Sequence, residues 1–402
     1  MIKTTLDQLA IFGGTPAFTQ KLHVGCPNIG NREIFLRYVG DILDSRSLTN
    51  NGCLVRKLEK KIANIIGAKH CIVMCNGTTA LEIAGRALEL KNEVIMPSFT
   101  FIATAHSLQW QGITPVFCDI DPITHNIDTK KIEALITPRT TGILGVHIWG
   151  RPCDVESLTQ IAKKYQLKLF FDAAHAFGCS YNGRMIGNFG DAEVLSFHAT
   201  KIFNTFEGGA VITNNDDLAK KIRLMKNFGF RDYDEIEHLG INGKMSEVHA
   251  AMGLAGLETL CDFVAINKHN YEKYRQELKK IPGISLIDYN ETEKCNYHYI
   301  VAEIDETATH IGRDHLLNIL WAENILVRRY FYPGCHKQEP YRFSSSQSGI
   351  ELPETERLSS RVLVFPTGTA ITTDDINTIC QILKLAIQRG PELSKRLTAL
   401  KP

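Results

Sequence analysis

The sequence has no long hydrophobic run and no segment dominated by one sign of charge. No stretch approaches the roughly 18 consecutive apolar residues of a membrane-spanning helix, so we expect no membrane association. Lysine and arginine number 45 against 44 aspartate and glutamate residues, with no basic stripe suited to a phosphate backbone, so we expect no nucleic-acid partner. The opening residues lack the basic start and apolar block of a secretory signal, which favours a cytoplasmic location.

The sequence also lacks paired cysteines and the spacing of metal ligands. Its 11 cysteines are scattered, and Cys71 and Cys75 lie in an apolar run that matches no zinc motif. An odd number of scattered thiols is typical of a reducing compartment. The sequence therefore predicts free thiols and no metal site.

Short apolar runs alternate with helical patterns from about Cys53 onward. The predicted strands are HCIVMC, EVIMP, PVFCDI, TGILGV and KLFFD, and the helices between them include TALEIAGRALEL and DVESLTQIAKKY. Strands joined by crossover helices lie parallel, and their ligands gather at the carboxyl ends. We predict an α/β fold with a large, mostly parallel sheet and chemistry just after its strands.

The pattern changes after Ser246 to a long helical stretch that ends at Pro282-Gly283. Two strands, YHYIVAEID and VLVFP, and two helices, GRDHLLNILWAENI and DDINTICQILKLAIQ, are predicted beyond it. We predict three parts: an N-terminal arm over 1–30, a large α/β domain over 31–260 and a smaller α+β domain over 261–402. The polar stretch 343–349 is predicted to be an exposed loop.

Asp172 ends the predicted strand KLFFD and is followed by the small residues of AAHAFG. These small residues would let a flat ligand approach the strand end. A pyridinium nitrogen needs a carboxylate partner to stay protonated, and Asp172 is a candidate for it; the alternative is a helix cap. His175 is a candidate hydrogen-bond partner for a ring hydroxyl, with local backbone as the alternative.

Lys201 lies in a predicted turn five positions after Ser196, between two strand-like runs. Its neighbours Phe197, Phe203 and Phe206 are expected to desolvate the ammonium group and lower its pKa. A neutral amine would then be free to form an imine. The alternative is an ordinary surface lysine.

The segment CNGTTAL follows a strand and opens a helix, the arrangement of a phosphate site. Gly77 would let the backbone approach, Thr78 offers a hydroxyl, and Ser196 adds a further donor. A simple turn and helix cap is the alternative. Phe101, just after the strand EVIMP, would stack on a bound ring or belong to the core.

The run ILVRRYFYPGCH concentrates arginine and tyrosine side chains. It is suited to a phosphorylated, ring-shaped substrate, and we predict substrate-binding roles for Arg329 and Tyr332. A solvated basic strand edge is the alternative.

Taken in order, NGTTAL, PSFTFIATA, FFDAAHAFG, SFHATK, FEGGA and GINGKMSE resemble the motifs of the DegT/DnrJ/EryC1/StrS family of sugar aminotransferases. The resemblance runs from LAIFGG to beyond RRYFYP and covers most of the chain. Within the family, the chain most resembles the enzymes that make dTDP-4-amino-4,6-dideoxyglucose, on the combination of LTNNG, SFHATKIFNTFEGGA, LKNFGF, GINGKMSEV and RRYFYP. Many members carry a Tyr-Arg pair where this chain has Gly243 and Lys244.

The resemblance implies a pyridoxal 5'-phosphate-dependent transferase of fold type I, similar to aspartate aminotransferase, that forms a homodimer with shared active sites. It implies these roles: Lys201 carries the cofactor, Asp172 meets the pyridine nitrogen, His175 lies near the ring hydroxyl, Phe101 stacks on the ring, and Gly77, Thr78 and Ser196 hold the phosphate. Asn242 would reach the phosphate of the partner subunit's cofactor.

The implied reaction is transamination of a 4-keto-6-deoxy sugar nucleotide with L-glutamate as the amino donor. A 3-amino product or a galacto-configured 4-amino product is an alternative. Sugar dehydration, seen in relatives with histidine in place of the lysine, is disfavoured by Lys201. A sugar-nucleotide sensor without turnover is a further alternative, because membership of a family does not prove catalysis.

Overall fold

The computed structural model describes residues 3–343 and 351–399. The loop predicted over 343–349 therefore lies, after Phe343, outside the described residues. The helices within them are α1 (Arg32–Ser45), α2 (Cys53–Ile66), α3 (Gly77–Ala87), α4 (Ile102–Gln109), α5 (Thr129–Ile132), α6 (Val155–Tyr165), α7 (Asp216–Met225), α8 (Glu247–Leu257), α9 (Leu260–Leu278), α10 (Glu306–Thr309), α11 (Arg313–Ala322), α12 (Pro353–Arg361), α13 (Thr373–Gln388) and α14 (Gly390–Ala399).

The strands are β1 (Leu22–His23), β2 (His70–Met74), β3 (Glu93–Pro97), β4 (Thr114–Cys118), β5 (Thr140–Val146), β6 (Lys168–Asp172), β7 (Ser180–Tyr181), β8 (Arg184–Met185), β9 (Ala192–Ser196), β10 (Gly209–Thr213), β11 (Phe230–Asp232), β12 (Glu235–Ile236), β13 (Ile284–Leu286), β14 (Ile300–Ile304), β15 (Ile325–Leu326) and β16 (Val362–Phe365). The five strands predicted before Asp172 are confirmed as β2 to β6, with ends that differ by one or two residues.

A seven-stranded sheet in the order β2-β10-β9-β6-β5-β3-β4 forms the centre of the molecule. Strands β9, β6, β5, β3 and β4 pair in parallel, whereas β10 is antiparallel to both of its neighbours. The interior strand positions are almost wholly buried because helices cover both faces. The predicted large, mostly parallel sheet is confirmed.

The carboxyl ends of β2, β3, β6 and β9 lie at one edge of this sheet. Register brings Asp172 beside Val146 and Val194, and it pairs Gly209 at the start of β10 with both Met74 and Ser196. The loops that follow these strands therefore meet at one place, as expected for an α/β sheet.

A smaller antiparallel sheet, β13-β14-β16, forms the C-terminal part of the fold with α9, α11 and α13 around it. Leu6 and Leu9, from the segment predicted as an N-terminal arm, are buried in the same core. Lys3 and Glu323 form a buried ion pair of 2.7 Å that ties this segment down. The predicted domain boundaries stay predictions.

The helical stretch predicted after Ser246 is two helices, α8 and α9, that meet at 62°. Thr259 between them has φ −111° and ψ 5°, outside the helical region. The break has a packing cause, because α8 lies against α1 and α2 of the large sheet region while α9 lies against α13 and β13. Among the described residues no single helix is long and apolar enough to cross a membrane, although this bent pair passes by length and composition.

Candidate active site

A cavity of about 290 Å³ opens at the carboxyl edge of the large sheet. Seven of the ten residues predicted from the sequence line it: Gly77, Thr78, Phe101, Asp172, His175, Ser196 and Lys201. They come from four separate segments of the chain, so the sheet edge gathers them as the strand pattern predicts.

Asp172 lies at the end of β6 with its carboxylate buried. Thr104 donates its hydroxyl to Oδ2 at 2.8 Å, and the backbone N–H of Ala174 donates to Oδ1 at 3.1 Å. Desolvation raises the pKa of Asp172, and these two hydrogen bonds and the charge of Lys201 oppose that rise. Both oxygens are held, so the carboxylate has one orientation toward the cavity.

The Lys201 amine faces the same cavity from the turn after β9. Desolvation lowers the pKa of Lys201 from 10.5 to about 8, and the charge of Asp172 limits the fall. A substantial neutral fraction is therefore present near pH 8, as a lysine nucleophile requires. The nearest hydrogen-bond partner of the amine is the hydroxyl of Tyr299, at 3.4 Å.

The predicted source of that desolvation is wrong. Phe197 and Phe203 pack against each other, with ring centroids 4.9 Å apart, in the core below the turn, and Phe206 packs against Phe35. Their spacing in the sequence places them on the core side because the segment continues from the buried β9. The aromatic residues that line the cavity are Phe101, Tyr299, Tyr330 and Phe331.

One end of the cavity is built at the start of α3. Asn76 caps this helix by accepting the N–H of Thr79 at 2.8 Å, and Gly77 and Thr78 form its first turn. A Cβ added to Gly77 would lie 3.2 Å from the Cβ of Ser196. A helix N-terminus, a glycine and a serine hydroxyl thus lie together, an arrangement that favours a phosphate group.

His175 and Phe101 both line the cavity wall. The Nδ1 of His175 accepts the backbone N–H of Trp149 at 3.2 Å, so Nε2 carries the proton and can donate. Burial holds the pKa of His175 well below its ordinary value, so the ring is neutral. Phe101 is 55% exposed, which makes it a wall residue and excludes the alternative that it belongs to the core.

Arg329 and Tyr332 lie outside this cavity, in a second cavity of about 360 Å³ beside it. The two cavities share Thr100, Phe101, Tyr330 and Phe331. Arg329 stacks over the ring of Tyr332 at 4.4 Å and bonds Asp314 at 3.0 Å, so its charge is partly neutralised.

Asn242 also lies away from the cavity. It is exposed, and its backbone bridges to Asn227 in the segment after α7. The backbone oxygen of the neighbouring Gly243 accepts the N–H of Cys75 at 2.9 Å. Lys244 places its ammonium 4.6 Å from the centre of the Phe228 ring.

Two residues that the sequence prediction missed complete the site. Thr104 donates a hydrogen bond to Asp172, 68 residues away in the sequence. The hydroxyl of Tyr299 contacts the amine of Lys201, 98 residues away. Thr104 lies in PSFTFIATA, so the motif contained it, but only the folded position of α4 shows what it binds. Tyr299 lies just before β14, within the predicted strand YHYIVAEID, which has no motif of its own.

The residues present fit pyridoxal 5'-phosphate. A lysine amine, a buried carboxylate, a neutral histidine and a helix N-terminus all face one cavity, and Gly77 at the start of that helix leaves space that a side chain would fill. Together with the sheet order, this arrangement defines a pyridoxal-phosphate-dependent transferase of fold type I.

Comparison with known proteins defines the family. The sequence pattern of the DegT/DnrJ/EryC1/StrS aminotransferase family matches residues 30–384, and this chain belongs to that family. The predictions of family, fold class, aminotransferase activity and cofactor are thereby confirmed.

Several relatives are similar over almost their whole length. The chain is 41% identical to a dTDP-4-amino-4,6-dideoxy-D-glucose transaminase of Shigella dysenteriae, over 89% of this chain and 97% of that one. It is 37% identical to the transaminase of that name from Escherichia coli, over 89% and 96%. It also matches the crystal structure of DesI with its TDP-sugar product, with a TM-score of 0.94, 47% identity and coverage of 98% and 100%.

Proposed function

We propose that this protein transfers an amino group from L-glutamate to dTDP-4-keto-6-deoxyglucose, giving dTDP-4-amino-4,6-dideoxyglucose and 2-oxoglutarate. The observation that carries the chemistry is the Lys201 amine, with its lowered pKa, facing the same cavity as the buried Asp172. The names of the two transaminase relatives support the sugar, and the product bound to DesI supports a nucleotide substrate.

Bound pyridoxal 5'-phosphate would supply the electron sink for removing a proton from an amino-bearing carbon. In this proposal Lys201 holds the cofactor and Asp172 accepts the N–H of its pyridine ring, which keeps that nitrogen charged. Once its amine is free, the Nζ of Lys201 removes the α-proton of glutamate and later delivers a proton to C4 of the sugar. A buried amine with a pKa near the working pH suits both transfers.

The other cavity residues bind and orient in this proposal. Gly77, Thr78 and Ser196 hold the phosphate, His175 donates Nε2–H to the ring hydroxyl, and Phe101 covers one face of the ring. The sugar nucleotide extends into the second cavity, where Arg329 and Tyr332 bind it, because the two cavities share part of their walls.

The proposed enzyme is a homodimer in which Asn242 reaches the phosphate of the partner subunit's cofactor. Large apolar side chains are exposed on the segment around Asn242: Phe228, Phe230, Ile236, Leu239 and Ile241. An exposed apolar patch of this kind supports a protein interface. The glutamate donor and a cytoplasmic location stay predictions.

The test supplies the enzyme with cofactor, L-glutamate and a panel of 3-keto and 4-keto sugar nucleotides, and determines each product by NMR. We expect equatorial amination at C4 of the dTDP sugar. Lys201→Ala should abolish turnover while circular dichroism stays unchanged, and Lys60→Ala, at an exposed position of α2, serves as the control. Binding of sugar nucleotide without turnover by the wild-type protein would favour the sensor and contradict the proposal.

A further inference from the structure

Two adjacent residues of the C-terminal sheet region contact the Lys201 turn. His298 donates Nε2–H to the backbone oxygen of Thr200 at 2.8 Å. Tyr299 places its hydroxyl 3.4 Å from the Nζ of Lys201. One contact therefore fixes the backbone just before the lysine, and the next meets its amine.

The hydroxyl of Tyr299 has a fixed position because both ends of the residue are held. Its ring is buried and packs against His175, with ring centroids 4.4 Å apart, and against Trp149 at 5.4 Å. Tyr289 donates its hydroxyl to the backbone oxygen of Tyr299 at 2.8 Å. A close-packed aromatic ring with an anchored backbone has little freedom to move its hydroxyl.

We propose that Tyr299 is a positioning residue whose hydroxyl is the resting contact of the Lys201 amine whenever that amine is not bonded to the cofactor. The inference rests on the proposed role of Lys201. It means that a residue just before β14, in the C-terminal part of the fold, acts on the lysine at the edge of the large sheet.

A phenol suits this task because it both donates and accepts. Burial raises the pKa of Tyr299 well above its ordinary value, so the hydroxyl keeps its proton. The hydroxyl accepts a hydrogen bond from the ammonium form of Lys201 and donates one to the neutral amine. Lys201 therefore keeps a partner before and after each proton transfer, and no buried amine is left unpaired.

His198, Glu207 and Tyr330 also line the cavity, but within the described part of the chain Tyr299 is the titratable group with a hydrogen bond to the Lys201 amine. Burial lowers the pKa of His298 to about 4, and it holds the pKa of His175 well below its ordinary value. Both rings are neutral near pH 7. The Nε2–H of His298 donates to the backbone oxygen of Thr200, and the Nε2–H of His175 is proposed to donate to the cofactor. Asp172 acts on Lys201 through its charge and raises its pKa.

The first experiment measures the Lys201 amine in cofactor-free protein. Wild type, Tyr299→Phe and Tyr274→Phe are labelled briefly with acetic anhydride across pH 6 to 11, and acetylation of Lys201 is followed by mass spectrometry. Tyr274 is the matched control because it is fully buried and its hydroxyl bonds the backbone oxygen of Pro366, in another core. We expect the labelling midpoint of Tyr299→Phe to move to lower pH. The phenol binds the charged ammonium more strongly than the neutral amine, so its loss destabilises the ammonium more and lowers the pKa of Lys201.

The second experiment measures turnover of the cofactor-loaded enzymes. We expect Tyr299→Phe to lower kcat about ten-fold, the effect of one lost hydrogen bond to a charged group, with little change in KM for the amino donor. Tyr274→Phe should retain wild-type kcat.

An unchanged labelling midpoint in Tyr299→Phe overturns the inference whatever the kinetics show, and an equal shift in both variants overturns it as well. The labelling does not depend on the sugar substrate. If wild-type enzyme aminates no keto sugar, the proposed function fails, while the midpoint still decides the role of Tyr299.

Discussion

Replacing Lys201 by methionine should change how the stability of the cofactor-free protein depends on pH. Desolvation lowers the pKa of Lys201 from 10.5 to about 8 in the folded protein. Between these two values the unfolded chain binds the proton and the folded chain does not, so the stability of the wild type rises with pH in this window. Below about pH 8 the cost of holding a charged amine in the fold is fully present.

The pKa difference sets the size of the effect. One pKa unit corresponds to about 1.4 kcal/mol, so the unfolding free energy of the wild type can rise by at most about 3 kcal/mol between the two pKa values. The cavity opens to solvent, which screens part of the charge, and we therefore expect about 2 kcal/mol. Methionine binds no proton, so the unfolding free energy of Lys201→Met minus that of wild type should fall by about 2 kcal/mol between pH 7 and pH 10.

The measurement is urea unfolding of both cofactor-free proteins at pH 7, 8.5 and 10, read as the difference between them. The subtraction removes the tyrosines and cysteines that titrate in both proteins. Lys60→Met, at an exposed position of α2, should show a difference independent of pH. If the difference for Lys201→Met is equally flat, the amine is solvated in the folded protein and the reasoning is wrong.

Two further substitutions test the hydrogen bond that holds the Asp172 carboxylate and the end of the cavity that is proposed to bind phosphate. Thr104→Val removes a hydrogen bond that lowers the pKa of Asp172, so the acid limb of the pH profile of kcat/KM should move to higher pH, and Thr104→Ser should restore it. Gly77→Ala places a Cβ 3.2 Å from that of Ser196, so cofactor affinity, measured by fluorescence titration, should fall about ten-fold. Gly85→Ala in the same helix, where the nearest atom is 3.6 Å away, should leave that affinity unchanged.

Hydrophobic periodicity and turn residues were enough to predict much of the fold. Strands β2 to β6 are short, apolar and separated by amphipathic helices, so their direction and the position of their ends follow from local pattern. The grouping of Asp172, Lys201 and Gly77 at one edge of the sheet then follows. Asp172 ends β6, Lys201 lies in the turn after β9, and Gly77 begins the helix after β2. These predictions needed no knowledge of the C-terminal part.

What the sequence did not reveal depends on contacts between distant segments. The contact of Tyr299 with Lys201 spans 98 residues and joins two different sheets, and no local pattern encodes such an approach. The break between α8 and α9 is similar, because the two helices face different partners although the sequence stays helical through both. The prediction for Phe197 and Phe203 shows the opposite error. Both are near Lys201 in the sequence, but their rings pack in the core and not beside its amine.

The single antiparallel strand of the large sheet explains why the end of the cavity at α3 needs a glycine outside the CNGTTAL segment itself. Because β10 runs between β2 and β9, Gly209 pairs with Met74 and Ser196 at once and holds the two loops side by side. A Cβ at this position would lie 2.7 Å from the backbone of Asn76 and from the Cα of Gly77, too close for any relaxed structure. Any side chain at Gly209 would therefore push the start of α3 away from Ser196, so we expect substitutions at this glycine of the FEGGA motif to weaken cofactor binding through the backbone that presents Gly77.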